Sequence, residues 1–345
     1  VLDESRDDFR YFRGIEVDRF QHQRRAVEIE GGFSRGLEGD RTRRLTFGWS
    51  WSEDRFGAPA PVLGDLGTDD PTLDAAPDFV GAPGTPELPA PEDRTLSWLW
   101  VSWQTVANDF ERTRNLDKIG RTEDRNLGLR LRLRAGASLA VLGATRDELV
   151  FDLDLARAAE PSETLLLEGL GHLEGRYGVG GGGDGGTAGG LANLRLGIEG
   201  RLYRRSADGR RVFFVRGLAD FVVDPDPETQ LLLGGDSGLR GYPARYQDGD
   251  RRFLLTVEER FFTHWTLLEL ADVGAAVFAD VGRSWRPGGA DDPGAGYLTD
   301  VGVGLRLGNK RSGNGSVIHL DLAMPLTGGQ DIAGLQWLVS TRQAF

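Results

Sequence analysis

The sequence predicts an all-β fold: a transmembrane antiparallel β-barrel of about 14 strands. Three observations lead there. Apolar and polar residues alternate with period two along most of the chain, so each segment has one greasy and one charged side. The alternating runs are long for a soluble protein, whose strands have roughly 5–6 residues, whereas a tilted membrane-spanning strand needs about 9–11. The links between runs fall into two classes, long at one end and short at the other, as in outer-membrane barrels.

The expected strands are 9–20, 24–37, 43–56, 94–108, 124–139, 147–160, 163–178, 192–206, 210–224, 251–263, 270–285, 297–310, 317–327 and 334–345. In the fifth, Leu127, Leu129, Leu131 and Leu133 oppose Arg130, Arg132 and Arg134; in the sixth, Phe151, Leu153 and Leu155 oppose Asp152 and Asp154. In the eighth, Leu194, Leu196 and Ile198 oppose Arg195, Glu199 and Arg201. Long links follow the odd-numbered strands: the acidic Pro/Gly segment 57–93, the glycine-rich "GVGGGGDGGTAGG", the segment around "GDSGLRGY" and "RPGGADDPGAG". Short links such as "LEGDR", "EPS" and "SADGR" follow the even ones, with "ERTRNLDKIGRTED" as an exception. In hydrocarbon every backbone polar group must be paired within the protein, so such a sheet is expected to close on itself, lipid meeting its apolar face. Trp49, Trp51, Trp98, Trp100, Trp103, Trp265, Trp285 and Trp337 fall near strand ends, where interfacial girdles place aromatics.

Composition narrows the function classes. A net charge of −12 argues against nucleic acid as a partner, since phosphate binding needs a basic face. The chain has no cysteine, which removes disulfide scaffolds, thiolate metal sites and cysteine nucleophiles. No run of about 18 apolar residues suggests a membrane-spanning helix. The first residues, "VLDESRDDFRYF", have neither the basic start nor the apolar run of a signal peptide; the chain is expected to be cytosolic, already processed, or cut from a longer precursor. The 50 glycines are about twice the usual share of roughly 7% and suit many turns and bends.

The motifs carry no enzymatic chemistry. "GDSG" at 235–238 matches the run around a serine-protease nucleophile, but Ser237 needs a histidine base and an oriented acid. His22, His172, His264 and His319 are scattered, none in a suitable context, and none pairs at zinc-site spacing. "GVGGGGDGG" lacks the lysine and hydroxyl residue of a phosphate cradle. Asp65, Asp69, Asp70, Asp74 and Asp78 read as a solvated acidic loop. No catalytic residue, cofactor or metal is expected.

The residues that follow "GDSG" point elsewhere. The stretch "LLLGGDSGLRGYPARYQDGDRRFLLTVEERFF" carries Leu239-Arg240-Gly241-Tyr242 on a long loop, then Glu258, Arg260 and Phe261 on the next strand. Phe278, Asp280 and Gly282 follow, then Gly302, Gly304, Leu305 and Arg306, and the chain ends in Phe345. In these ordered motifs the sequence resembles the barrel domain of the bacterial surface-antigen superfamily, which includes BamA, TamA and two-partner-secretion transporters such as FhaC.

The resemblance implies a sixteen-stranded barrel with five strands after the loop; nine strands precede the loop in the sequence-based count. It implies that the long extracellular loop folds into the lumen, where Leu239, Arg240, Gly241 and Tyr242 lock it inside the barrel. Arg240 is expected to pair with Asp280 on an inner wall that also carries Phe278, Gly282, Glu258, Arg260, Gly302 and Gly304. Gly241 would let the loop backbone approach the wall, Gly302 and Gly304 would leave room for the loop, and Phe345 would serve as the C-terminal assembly signal. Residues 1–345 are read as a single outer-membrane barrel domain, without the periplasmic repeats of the family. The function implied is insertion of outer-membrane proteins or protein translocation across the bacterial outer membrane. The expected partners are membrane lipid, lipopolysaccharide, unfolded outer-membrane or secreted clients, and periplasmic accessory domains or proteins. A passive porin-like channel, or a barrel anchoring a separate domain such as a patatin-like lipase, are the alternatives.

Overall fold

A computed structural model describes residues 1–38, 40–61, 89–179, 189–287, 296–310, 316–328, 332 and 334–342. Phe345, the acidic segment Asp65–Asp78 and most of the glycine-rich link lie outside the described residues. The wall is one antiparallel sheet of fourteen strands in chain order, each hydrogen-bonded to the next. They are β1 (Leu2–Phe12), β2 (Ile15–Glu38), β3 (Arg41–Phe56), β4 (Arg94–Ala107), β5 (Arg130–Ser138), β6 (Glu148–Ser162) and β7 (Leu165–Gly178). After these come β8 (Leu191–Arg205), β9 (Arg211–Val223), β10 (Arg251–Leu267), β11 (Ala271–Trp285), β12 (Leu298–Asn309), β13 (Val317–Pro325) and β14 (Gln336–Arg342). Among the described residues nine strands of this wall precede the long loop and five follow it, fourteen in place of the sixteen that the resemblance implies.

Alternation sorts the side chains as the pleat requires. Leu133, Leu153, Leu173, Leu196 and Phe221 are successive cross-strand partners from β5 to β9 and form one outward apolar row. On the opposite face the neighbouring row runs Arg132, Asp154, His172, Gly197, Asp220, Arg252. Its charges neutralise one another: Arg132 Nε lies 2.9 Å from Asp154, His172 Nδ1 2.7 Å from Asp154, and Arg252 Nε 2.8 Å from Asp220. The sheet curls around this charged face. The loop between β9 and β10 touches the β1–β2 turn through Gly14 N–H to Arg245 C=O at 3.1 Å, and the far wall through Tyr242 to Thr299 C=O at 2.7 Å.

The structure departs from the sequence-based expectations at four places. The first strand does not run through 9–20, because Arg13 and Gly14 both have positive φ (51° and 80°) and make a two-residue turn matched to strand twist. The expected strand 124–139 is broken at 127–129; its first part, Thr122–Asn126, pairs with Phe110–Arg114 in a separate hairpin. Trp98 and Trp100 are not girdle residues. They share the inner face with Ser102, and the Arg134 guanidinium lies 4.4 Å from both rings, a cation–π contact that an inward charge favours. Lastly, the sheet does not close among the described residues, since no pairing joins its first and last strands. β1 pairs only with residues 15–26 of β2, so residues 27–38 of β2 have a partner on the β3 side alone. The outward apolar face starts on that half, at Ile29 and Phe33. The β1–β2 ribbon above it carries polar outward pairs such as Asp3–Arg25 and Asp7–Gln21.

Candidate functional site: a loop locked in the lumen

The loop after β9 leaves through "DPDPETQ", forms a short ladder of Leu231–Leu233 with Gln247–Gly249, and turns back through Gly235–Ser237. Its tip points into the barrel. Gly234, Gly235 and Gly238 all have positive φ, and a side chain at Gly234 would run into the Pro243 carbonyl. Leu239, Tyr242 and Tyr246 bury against Leu218, Leu254 and Leu298, an apolar anchor for the loop.

Each residue of Arg240-Gly241-Tyr242 then has its own wall partner. Arg240 grips Asp280 by two hydrogen bonds, Nε to Oδ2 at 2.8 Å and Nη2 to Oδ1 at 3.1 Å. Its Nη1 donates to Glu258 at 2.8 Å and to Asp321 at 3.5 Å, and its guanidinium stacks 3.3 Å from the Phe278 ring. Gly241 N–H donates to Asp300 at 3.0 Å, and the Tyr242 hydroxyl meets the carbonyls of Thr299 and Thr327 at 2.7 and 2.6 Å. A Cβ on Gly241 would stand 2.6 Å from that of Asp300, so the close approach of loop to wall requires glycine there.

The electrostatics explain why the arginine stays. Arg240, Glu258, Arg260, Asp280, Asp300, Arg306 and Asp321 are all buried, at 6% exposure or less. Burial works against the Arg240 charge, but Asp280, Glu258 and Asp321 outweigh it and push the guanidinium above its ordinary value. Glu258 sits at the centre: one oxygen takes Arg240 and Arg306, the other takes Arg260 Nε at 2.8 Å. Arg306 also pairs with Asp321. A buried ion cluster of this kind is a weak source of net stability, yet removing one member is costly because it leaves buried charge uncompensated.

Two wall glycines act differently from the expectation. Gly302 makes room for the Phe278 ring and the Leu322 carbonyl, and Gly304 for the Asp321–Arg306 pair, rather than for the loop backbone itself. Gly282 leaves space for Leu233 and Leu254 beside the loop. The Ser237 hydroxyl donates to the Gly234 carbonyl at 2.7 Å.

No family model and no curated protein matches the chain. Among solved structures, CdiB from Escherichia coli aligns over 95% of this chain and 56% of its own, at 18% identity and a TM-score of 0.45. CdiB from Acinetobacter baumannii aligns over 99% of this chain and 58% of its own, at 11% identity and a TM-score of 0.41. The chain thus spans little more than half the length of these proteins. Likeness at this level assigns no function.

Several site residues escape the sequence reading. Asp300 and Asp321 stand out in the sequence only as polar positions on alternating strands, Arg306 only as the end of the Gly302–Arg306 motif, and no spacing says that they converge around Arg240. The "ERTRNLDKIGRTED" segment stands out in the sequence only as an unusually long link. In the structure its tip enters the lumen from the short-turn end, and Arg260 reaches it at Leu116 C=O (2.6 Å) and Asp117 (3.1 Å).

Proposed function

We propose that this chain is a bacterial outer-membrane β-barrel that inserts or translocates protein chains, held in a defined resting state by the Leu239–Tyr242 loop. The observation that carries the reading is the buried Arg240 cluster. A loop that only shielded a mouth would keep its arginine in water, whereas here a guanidinium is desolvated among three carboxylates. The outward apolar face suits lipid, since a curled sheet can satisfy backbone groups there while its charged face stays wet. Reversible release of the loop would free the lumen or the sheet edges for a client; an unpaired edge can template an incoming strand. No covalent step is involved.

The function is tested by deleting the gene in the bacterium that encodes it and comparing the outer-membrane and secreted proteomes with those of a complemented strain. Loss of particular surface or secreted proteins supports the reading. An unchanged proteome, with large stable conductance of the intact protein in planar bilayers, would instead identify a passive channel.

A further inference from the structure

The segment between β4 and β5 should be a turn, yet it builds a device. Phe110–Arg114 and Thr122–Asn126 form a two-stranded stem, and residues 115–121 form a tip organised around one buried carboxylate. Glu123 accepts the backbone N–H groups of Leu116 at 2.9 Å and of Asp117 and Lys118 at 3.1 Å. Asn115 accepts from Gly120 N–H at 2.7 Å, and both residues have positive φ (60° and 70°). Three backbone donors on one carboxylate fix the tip before it docks.

The tip reaches across the barrel. Leu116 is fully buried among Ala158, Leu166, Tyr203, Val212 and Phe214. Asn115 donates to the Gly209 carbonyl at 3.1 Å in the β8–β9 turn, and Arg121 donates to the Asn309 and Lys310 carbonyls at 3.0 Å at the far side. Ile119 packs into the space left by Gly274 and Gly308. Arg260 holds Leu116 C=O and Asp117, and Arg125 pairs with Asp117 and, at 3.3 Å, with Glu168 on β7. A cavity of about 580 Å³, lined by Leu116, Arg216, Arg306 and His319 among others, lies at the tip.

From this geometry we infer that the hairpin is a second plug, which closes the short-turn mouth and is coupled to the loop on the other side through Glu258 and Arg260. The inference rests on reading the chain as a protein-conducting barrel. Glu258 binds Arg240 of the loop with one oxygen and Arg260 with the other, so each plug fixes a residue that the other needs. Loss of either releases a charge that had been neutralised by both. The seat that the tip vacates is a guanidinium beside an aliphatic-aromatic floor. It suits an incoming segment with an aliphatic residue next to a carboxylate, the chemistry of Leu116-Asp117 itself.

The test uses the full chain in planar bilayers. A Cβ on Gly308 would stand 2.9 Å from that of Ile119, near enough that a small shift permits a disulfide, whose Cβ atoms lie roughly 3.5–4.5 Å apart. The protein has no cysteine of its own, so an Ile119→Cys, Gly308→Cys variant cross-links only there. Oxidation is expected to lower channel openings about tenfold or more, with recovery on reduction. Replacing residues 110–126 by a glycine-serine turn is expected to raise openings, and a peptide of residues 110–126 added in trans is expected to lower them again, but not with Asp117→Asn. For coupling, maleimide labelling of a Ser237→Cys variant is expected to speed up by about fivefold or more when Asp117→Ala is added. Equal conductance of oxidised and reduced barrels would overturn the plug, whether or not the deletion variant folds. An unchanged labelling rate would overturn the coupling. Neither outcome bears on the proteome test above, so a failure here is distinct from a failure of the transport reading.

Discussion

Arg240 and Asp280 meet through two parallel hydrogen bonds, 2.8 and 3.1 Å long, although one sits on a loop tip and the other on the wall forty residues later. The pair is buried, and Glu258, Asp321 and the Phe278 ring complete the enclosure of the guanidinium. Replacement by alanine would leave Asp280 buried without its cation, while Glu258 and Asp321 keep only Arg260 and Arg306. Breaking a buried pair in this way costs about 3–5 kcal/mol, so loop release should become about a hundredfold to a few thousandfold more frequent in Arg240→Ala. Limited trypsin cleavage at Arg245 measures it: rapid nicking is expected in a barrel that otherwise melts as wild type. Arg240→Lys should fall between, because an ammonium cannot reproduce the bidentate grip.

Gly302 controls the same arginine at one remove. A methyl group there would collide with the Phe278 ring, which underlies Arg240. Gly302→Ala is expected to destabilise the barrel by about 1–3 kcal/mol through overpacking. The double variant Gly302→Ala, Phe278→Leu should recover only part of the loss in melting temperature, because the added methyl group still stands 2.4 Å from the Leu322 carbonyl. No recovery would mean that the glycine serves the backbone and not the ring.

The orientation of the wall gives a spectroscopic prediction. Trp103 faces outward while Trp98 and Trp100 stack on Arg134 inside. In vesicles of brominated-acyl lipid, Trp103→Phe should remove part of the lipid quenching, and Trp100→Phe should not. Quenching lost equally in both variants would contradict the assignment of faces.

The hairpin tip gives a pH dependence. Burial raises the Asp117 carboxyl, but Arg260 and Arg125 outweigh it and hold the group at about 2, against 3.8 ordinarily. A carboxylate depressed on folding contributes stability that is complete above the ordinary value and is lost as pH falls through the folded one. Docking of the tip should therefore weaken between pH 3.8 and about 2. Pepsin, active throughout that range, should cut near Leu116 more readily at the acid end. Asp117→Asn should be cut readily at both ends, with no trend beyond that of a control peptide.

The wall was legible because its signals are local. Alternation in "NLGLRLRLRAG" and "NLRLGIEGRLY" follows from the pleat alone, and the count of nine strands before the loop and five after it needed nothing more. The turn at Arg13-Gly14 was missed because apolar residues continue in step across it, and only the sign of φ marks the reversal. Trp98 and Trp100 were misplaced for a similar reason: an aromatic fits either face, and Arg134, which draws them inward, comes from the next strand. The resemblance already paired Arg240 with Asp280 and put Glu258 on the same wall, whereas the convergence of Asp300 and Asp321 on the loop was not legible, because it depends on how the sheet curls. The hairpin was legible only as an unusually long link, with residues 124–126 assigned to the following strand, and its seat beside Arg260 is a product of tertiary structure.

The most direct measurement of the central claim is the outer-membrane and secreted proteome of cells whose only copy carries Arg240→Ala, at surface levels matched to wild type. A lock that matters for transport predicts loss of the same proteins that disappear when the gene is deleted. Wild-type levels of those proteins in the Arg240→Ala strain would contradict it.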